Sequence, residues 1–127
     1  MEQCDQNRNL PIVLKRNKYQ HLSFLLSSIL FIQRESGSVH VYKKDEKPTN
    51  LLSRSIKETK ELIHQQDCDH HFYMNSAIIV SYHFIEKHID LNLPDHKAIE
   101  LFKKIGLRIG MNEFRNMCNS YKSKISV

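Results

Sequence analysis

His64, Asp67, Cys68, Asp69, His70 and His71 crowd into one short stretch of this 127-residue chain. Imidazole nitrogen and thiolate sulfur are the donors that tetrahedral zinc prefers. On a helix, His64 and Cys68 stand one turn apart, so one face can offer both, with His70 or His71 adding further ligands. The usual finger and knuckle spacings need a second cysteine pair, and the chain has none. We therefore expect a polar, solvated turn between two helices here, with no metal and no cofactor.

The three cysteines, Cys4, Cys68 and Cys118, are odd in number and widely spaced, which excludes a secreted disulfide framework. A thiol becomes a nucleophile when a nearby base deprotonates it. No spacing brings a base and an orienting carboxylate to Cys68 or Cys118, and Cys118 falls on the apolar stripe of its helix, as a buried inert thiol would. Cys4 is expected to be exposed. His83 and His88 share a helical stretch, where hydrogen bonding is their ordinary role and pH sensing is the alternative. The carboxylate pairs Asp45/Glu46 and Glu58/Glu61 lie in charge-mixed segments without the apolar setting that raises a catalytic pKa. Glycine-rich dinucleotide loops, phosphate-binding loops, zinc-protease helices and nucleophile elbows are all missing. The chain reads as non-enzymatic.

Charge points elsewhere. The net charge is +5, and the last quarter holds Lys97, Lys103, Lys104, Arg108, Arg115, Lys122 and Lys124 against Asp95, Glu100 and Glu113. A helical hairpin over residues 95–125, with a glycine-bearing connector, loosely resembles helix-turn-helix geometry. Lys103, Lys104, Arg108, Arg115, Asn119 and Lys122 are its candidate nucleic-acid contacts, with Asn116 and Lys124 nearby. The terminal Lys124-Ile125-Ser126-Val127 fits a strand-addition groove only as short tails often do, and no role is assigned to it.

The elements that would position these groups follow from hydrophobic pattern. Three glycines and three prolines are few, which favours helices over many tight turns. Residues 71–90 place Val80, Tyr73, Phe84, Ala77, Met74, Ile85, Ile78, Ile89 and Tyr82 over more than half of a helical circumference, at about 100° per residue. An apolar arc this broad predicts a central core helix. Residues 19–33 read as a second buried helix. Residues 30–34 and 39–42 can instead pair as a β-hairpin about residues 35–38, but the spacing favours helix to about 33 and then an extended segment. Residues 43–50 form a charged loop with Pro48, and Thr49 or Asn50 can cap an amphipathic helix over 51–66. Pro94 opens a helix over 95–105, and Asn112 caps the last one over 113–125.

These elements predict a mainly α fold: a compact bundle of about five helices with a minor extended element near 12–14 and 39–42. Residues 1–9 are expected to be flexible and 10–127 to form a single globular helical domain. No run reaches the roughly 18 apolar residues a membrane span needs, and no leader is visible. A soluble intracellular protein is expected, in nucleus or cytoplasm. The leading functional expectation is a protein–protein interaction module, a small subunit or adaptor that binds a protein partner or a second copy through an apolar helical surface. Phe72, Ile79 and Phe31 are its candidate interface residues, because Phe72 and Ile79 interrupt the polar strip of the central helix. The alternative is DNA or RNA binding by the basic hairpin at 95–125.

Overall fold

The computed structural model describes residues 11–53 and 55–125. The chain divides into two compact units, residues 1–81 and 82–127.

The first unit is built on antiparallel sheet. β1 (Pro11–Asn17) and β2 (Gln20–Leu25) form a two-stranded hairpin. A short 3₁₀ turn leads to β3 (Ile29–Glu35) and β4 (Ser38–Lys43). β5 (Thr49–Asn50) pairs with β4, and α1 (Ile56–Gln65) follows. β6 (Phe72–Met74) and β7 (Ile78–Ser81) complete a five-stranded sheet in the order β5-β4-β3-β7-β6.

This architecture overturns the expected helical bundle: the fold is α+β. Residues 20–25 and 29–35 are strands joined by a short 3₁₀ turn. In β2, Phe24 is buried between exposed Ser23 and Leu25, the period of a half-buried strand. In β3, Ile29, Phe31, Ile32 and Gln33 are all buried, so the strand is covered on both faces and its apolar residues run on without alternation. The expected central helix at 71–90 is likewise a hairpin followed by a shorter helix. The Asn75 side chain accepts from the Ala77 and Ile78 amides at 2.7 Å each and turns the chain between β6 and β7. The β-branched run Ile78-Ile79-Val80 then fills a strand buried throughout.

The hairpin that competed with a helix over 30–42 is the one that forms. Glu35 pairs with Ser38 around the two-residue turn Ser36-Gly37, whose φ angles of 51° and 84° are both positive. Such a turn matches the right-handed twist of its strands. The extended pieces expected at 12–14 and 39–42 lie within β1 and β4, full strands of two sheets rather than minor additions. α1 starts at Ile56, later than expected. Ser55 caps it by accepting from the Lys57 amide at 3.1 Å, while Thr49 and Asn50 belong to the sheet.

One face of the sheet carries the core. Ile32 stands opposite Val41 and Ile79, and these pack with Ile56 and Ile63 of α1 and with Ile12, Leu14 and Phe24 of the first hairpin. The Gln66 amide fastens β1 to the end of α1: it accepts from the Val13 amide at 2.7 Å and donates to the Val13 carbonyl at 2.6 Å, in the manner of a neighbouring strand. The other face of the sheet is partly polar. Phe31 stacks on Tyr42 at 4.4 Å, and the Glu35 carboxylate accepts from both Tyr42 and Gln33. The three proposed interface residues are therefore interior residues: Phe31 and Ile79 are 0% exposed and Phe72 is 3% exposed. Phe72 and Ile79 fall in a polar strip only on a helical wheel, and they are not on a helix.

The second unit consists of α2 (Tyr82–Asp90), α3 (Asp95–Ile105) and α4 (Met111–Ile125). The Phe84 and Phe102 rings lie 5.3 Å apart, and Phe102 and Phe114 lie 5.7 Å apart. Gly106 ends α3 in the left-handed region at φ 108°, and the Leu107 amide reaches back to the Phe102 carbonyl at 2.9 Å, the six-to-one bond of a Schellman stop. Tyr82 Oη and Ser120 Oγ share a hydrogen bond of 2.6 Å between α2 and α4. No described helix is long and apolar enough to cross a membrane.

Two substitutions test this architecture. Ile79→Ala removes a fully buried side chain from the sheet core and is expected to cost about 2–5 kcal/mol in urea unfolding. Gly37→Ala places a Cβ in open space but at φ 84°, so its cost of about 1 kcal/mol comes from backbone conformation alone.

Candidate functional site

The histidine–cysteine stretch does not assemble into a metal site. His64 Nδ1 lies 3.3 Å from Asp69 Oδ2, the Cys68 thiol donates to the Gln66 carbonyl at 3.4 Å, and the His70 and His71 rings lie 4.1 Å apart. Among the described residues no group of three or more His, Cys, Asp or Glu is placed to hold a metal ion. Burial, then the Asp67 and Asp69 carboxylates, push the Cys68 thiol up, away from the thiolate a nucleophile needs. Burial also raises the Cys118 thiol, with Lys122 opposing and Asp95 adding to the shift. Cys4 lies outside the described residues. The acidic pairs are split up by cations: Glu46 meets Lys43 at 3.1 Å and Glu58 meets Lys15 at 3.8 Å.

The C-terminal candidates are exposed, but they do not form one set. Arg115, Asn119 and Lys122 are spaced four and three residues apart on α4 and share one helical face. Arg115 is engaged there by Asp95 of α3 at 3.4 Å. Lys103 and Lys104 leave the last turn of α3 about 100° apart. Arg108 is exposed in the connector before α4. Lys124 lies over the Tyr82 ring at 5.1 Å.

A denser basic surface lies in the first unit, around the start of α1. Two shallow concavities flank it. One, of about 500 Å³, is lined by Arg34 of β3, Lys57 and Lys60 of α1, and the Ser76-Ala77 tip of the β6–β7 turn, with no acidic residue in its wall among the described residues. Lys60 Nζ donates to the Asn75 carbonyl at 2.8 Å and ties the helix to that turn. Arg34 and Lys57 are exposed. The free amides and dipole at the head of α1 add positive potential between them. The other concavity, of about 640 Å³, is lined by Lys15, Arg16 and Lys18 at the end of the first hairpin, by Leu52 and Ser53, and by Glu58. Leu52 in its wall is held at φ 60°, its amide donating to Asn50 Oδ1 at 2.7 Å. Such a conformation is uncommon for a bulky residue.

None of these six basic residues was singled out by sequence reasoning. Lys15, Arg16 and Lys18 do stand together as Lys-Arg-Asn-Lys, a signal that could have been found. Lys57 and Lys60 read as the solvated side of an amphipathic helix. Arg34 gives no hint of sharing a wall with them, because only sheet pairing brings β3 beside α1.

In the second unit His88 packs among aromatic rings. Its ring lies 4.4 Å from both Phe84 and Phe102, and its Nδ1–H donates to the Phe84 carbonyl at 3.0 Å. Burial lowers its pKa, a shift the carbonyl opposes and Lys87 reinforces. The fold holds His88 neutral, while the unfolded chain accepts the proton at the ordinary value of 6.5. Stability is therefore fully present above that value and falls as pH drops through the lowered native one. Denaturant titrations from neutral pH to about pH 5 are expected to show this loss, and His88→Gln is expected to flatten it.

Set against protein-family profiles, curated proteins and solved structures, the chain matches none of them.

Proposed function

We propose that this chain is a nucleic-acid-binding module that holds the phosphate backbone of a duplex against the basic surface at the head of α1. The observation that carries the reading is the concavity walled by Arg34, Lys57 and Lys60 with no carboxylate among its described lining residues. Cations gathered on one concave surface release the counterions condensed on a nucleic acid and favour binding without regard to sequence. The net charge of +5 acts in the same direction. A duplex suits the surface better than a single strand. Single-strand binders stack bases on exposed aromatic rings, and here Phe24, Phe31 and Phe72 are buried while Tyr19, at the first hairpin's turn, is the aromatic with high exposure.

The interaction-module reading needed uncovered apolar side chains, and Phe31, Phe72 and Ile79 do not supply them. The basic face of α4 with Arg115, Asn119 and Lys122 is the alternative to this surface by the same electrostatic argument, disfavoured by the Asp95 partner of Arg115.

Fluorescence anisotropy with a labelled duplex of arbitrary sequence, run from low to near-physiological salt, tests the proposal. Binding is expected, with the logarithm of affinity falling linearly in the logarithm of salt by about 0.9 per phosphate contacted. Arg34→Gln with Lys57→Gln is expected to reduce that slope by about two, since each side chain meets one phosphate. Arg115→Gln with Lys122→Gln is the control and is expected to leave the slope unchanged. Loss of binding in the control pair alone would move the interface to α4. No binding at low salt would overturn the reading altogether.

A further inference from the structure

The first hairpin leaves one strand edge open. Gln66 takes both the amide and the carbonyl of Val13, so these groups point away from β2. Val13 faces Ser23 across the ladder. In an antiparallel pair, facing residues either exchange both hydrogen bonds or turn N–H and C=O outward, and the two kinds alternate. Ser23 therefore turns its amide and carbonyl away from β1, and so do His21 and Leu25, two positions to either side. Pro11 fits the same phase: it faces Leu25, where the ladder does not need the N–H that proline lacks. His21, Ser23 and Leu25 are all exposed. The Leu25 carbonyl accepts from Ser28 Oγ at 2.8 Å. Among the described residues no further strand pairs with β2, and no backbone hydrogen bond from another segment reaches His21 or Ser23.

The other edges offer less. Gln66 occupies the β1 edge at Val13, and β5 and β6 span only two and three residues. Charged residues and proline are common devices that keep an edge strand from pairing, and Gln20–Leu25 contains neither. We infer that β2 pairs antiparallel with β2 of a second copy of this chain, about a two-fold axis at Ser23. This register sets Ser23 opposite Ser23 of the second copy and His21 opposite its Leu25, so every outward-turned residue meets another. Charge favours the arrangement. A chain of net charge +5 repels its own copy wherever cations meet, but the paired stretch is uncharged. Lys18, the cation next to the strand, falls level with Ser28 of the second copy, about 33 Å along the strands from Lys18 of that copy. That is several Debye lengths of about 8 Å. Parallel pairing would set the two lysines side by side. A contact of three residue pairs falls below the roughly 1,200 Å² of a stable interface, so the dimer is transient, with a dissociation constant on the order of 100 µM. The pairing does not depend on the chain's binding a duplex.

Sedimentation velocity of the full chain from about 10 µM to about 1 mM is expected to show a monomer passing into a dimer. Ser23→Lys sets like charges across the axis on an exposed side chain, which does not threaten folding, and is expected to weaken the dimer about fivefold. Cysteine cross-linking reads the register. Ser23→Cys puts a thiol at the axis, where facing Cα atoms of a hydrogen-bonded pair stand about 5.5 Å apart, within disulfide reach. Mild oxidation is expected to link it beyond the background of the unsubstituted chain. His21→Cys lies about 13 Å from its own counterpart and is expected not to link. A dimer indifferent to Ser23→Lys, or equal cross-linking of the two cysteine variants, would overturn the pairing. So would a chain that stays monomeric to about 1 mM. In such a monomer, slow hydrogen exchange at the Ser23 amide would show the edge covered within the chain, and fast exchange would leave it to an extended segment of another protein. Either result overturns self-pairing.

Discussion

The pairing of β3 with β7 is the contact on which the first unit depends. It joins strands separated in sequence by β4, β5, α1 and β6, and it puts β3 at the centre of the sheet between β4 and β7. Closing so long a loop costs conformational entropy that no local contact offsets. The return comes from apolar burial on that central ladder: Ile32 against Val41 and Ile79, with α1 and the first hairpin packed over them. Without this pairing β6 and β7 have no sheet to join, and the Lys60–Asn75 contact that locates the turn beside α1 has nothing to hold.

The basic surface is a by-product of the same packing. α1 must lay Ile56, Thr59 and Ile63 into the sheet. Its other side then faces outward with Lys57, and its capped end opens between the first hairpin and the β6–β7 turn. The strand alternation that sends Ile32 inward keeps Val39 and Val41 beneath the helix and leaves Arg34 exposed at the end of β3. Cations from three separate segments meet because the core leaves them only that surface. Glu58 offsets Lys15, and the Glu35 carboxylate is taken up by Tyr42 and Gln33, while Arg34, Lys57 and Lys60 share a wall whose described residues include no carboxylate.

Two backbone irregularities border the same region. The β1 bulge at Arg16 and the left-handed Leu52 both border one concavity. Bulges and strained backbone are tolerated where surrounding structure over-determines them. Here the Gln66 clamp on Val13 and the pairing of the Leu51 amide with the Val39 carbonyl at 2.8 Å hold the flanking segments. In the second unit α3 ends in a glycine stop, and an aromatic cluster surrounds the partly buried His88.

By itself the sequence determined the elements whose signals are local. Pro94 opens the helix at 95–105, as expected of proline at or near a first turn, and Gly106 begins the connector that follows it. The stripe of Phe114, Met117 and Cys118 marks the last helix, and Ile56 and Ile63 mark α1. It also determined the net charge and the absence of familiar catalytic motifs. Tertiary structure alone decided residues 19–33 and 72–81. A run that is apolar on every side suits a helix enclosed by helices and equally a strand enclosed on both faces, since periodicity disappears when there is no solvent side to mark it. Long-range pairing broke that tie in favour of strands. It moved Phe31, Phe72 and Ile79 from a supposed surface into the interior, and it brought Arg34 to Lys57 and Lys60. The two concavities were illegible in the sequence for the same reason: their walls come from segments that only the closed sheet makes neighbours.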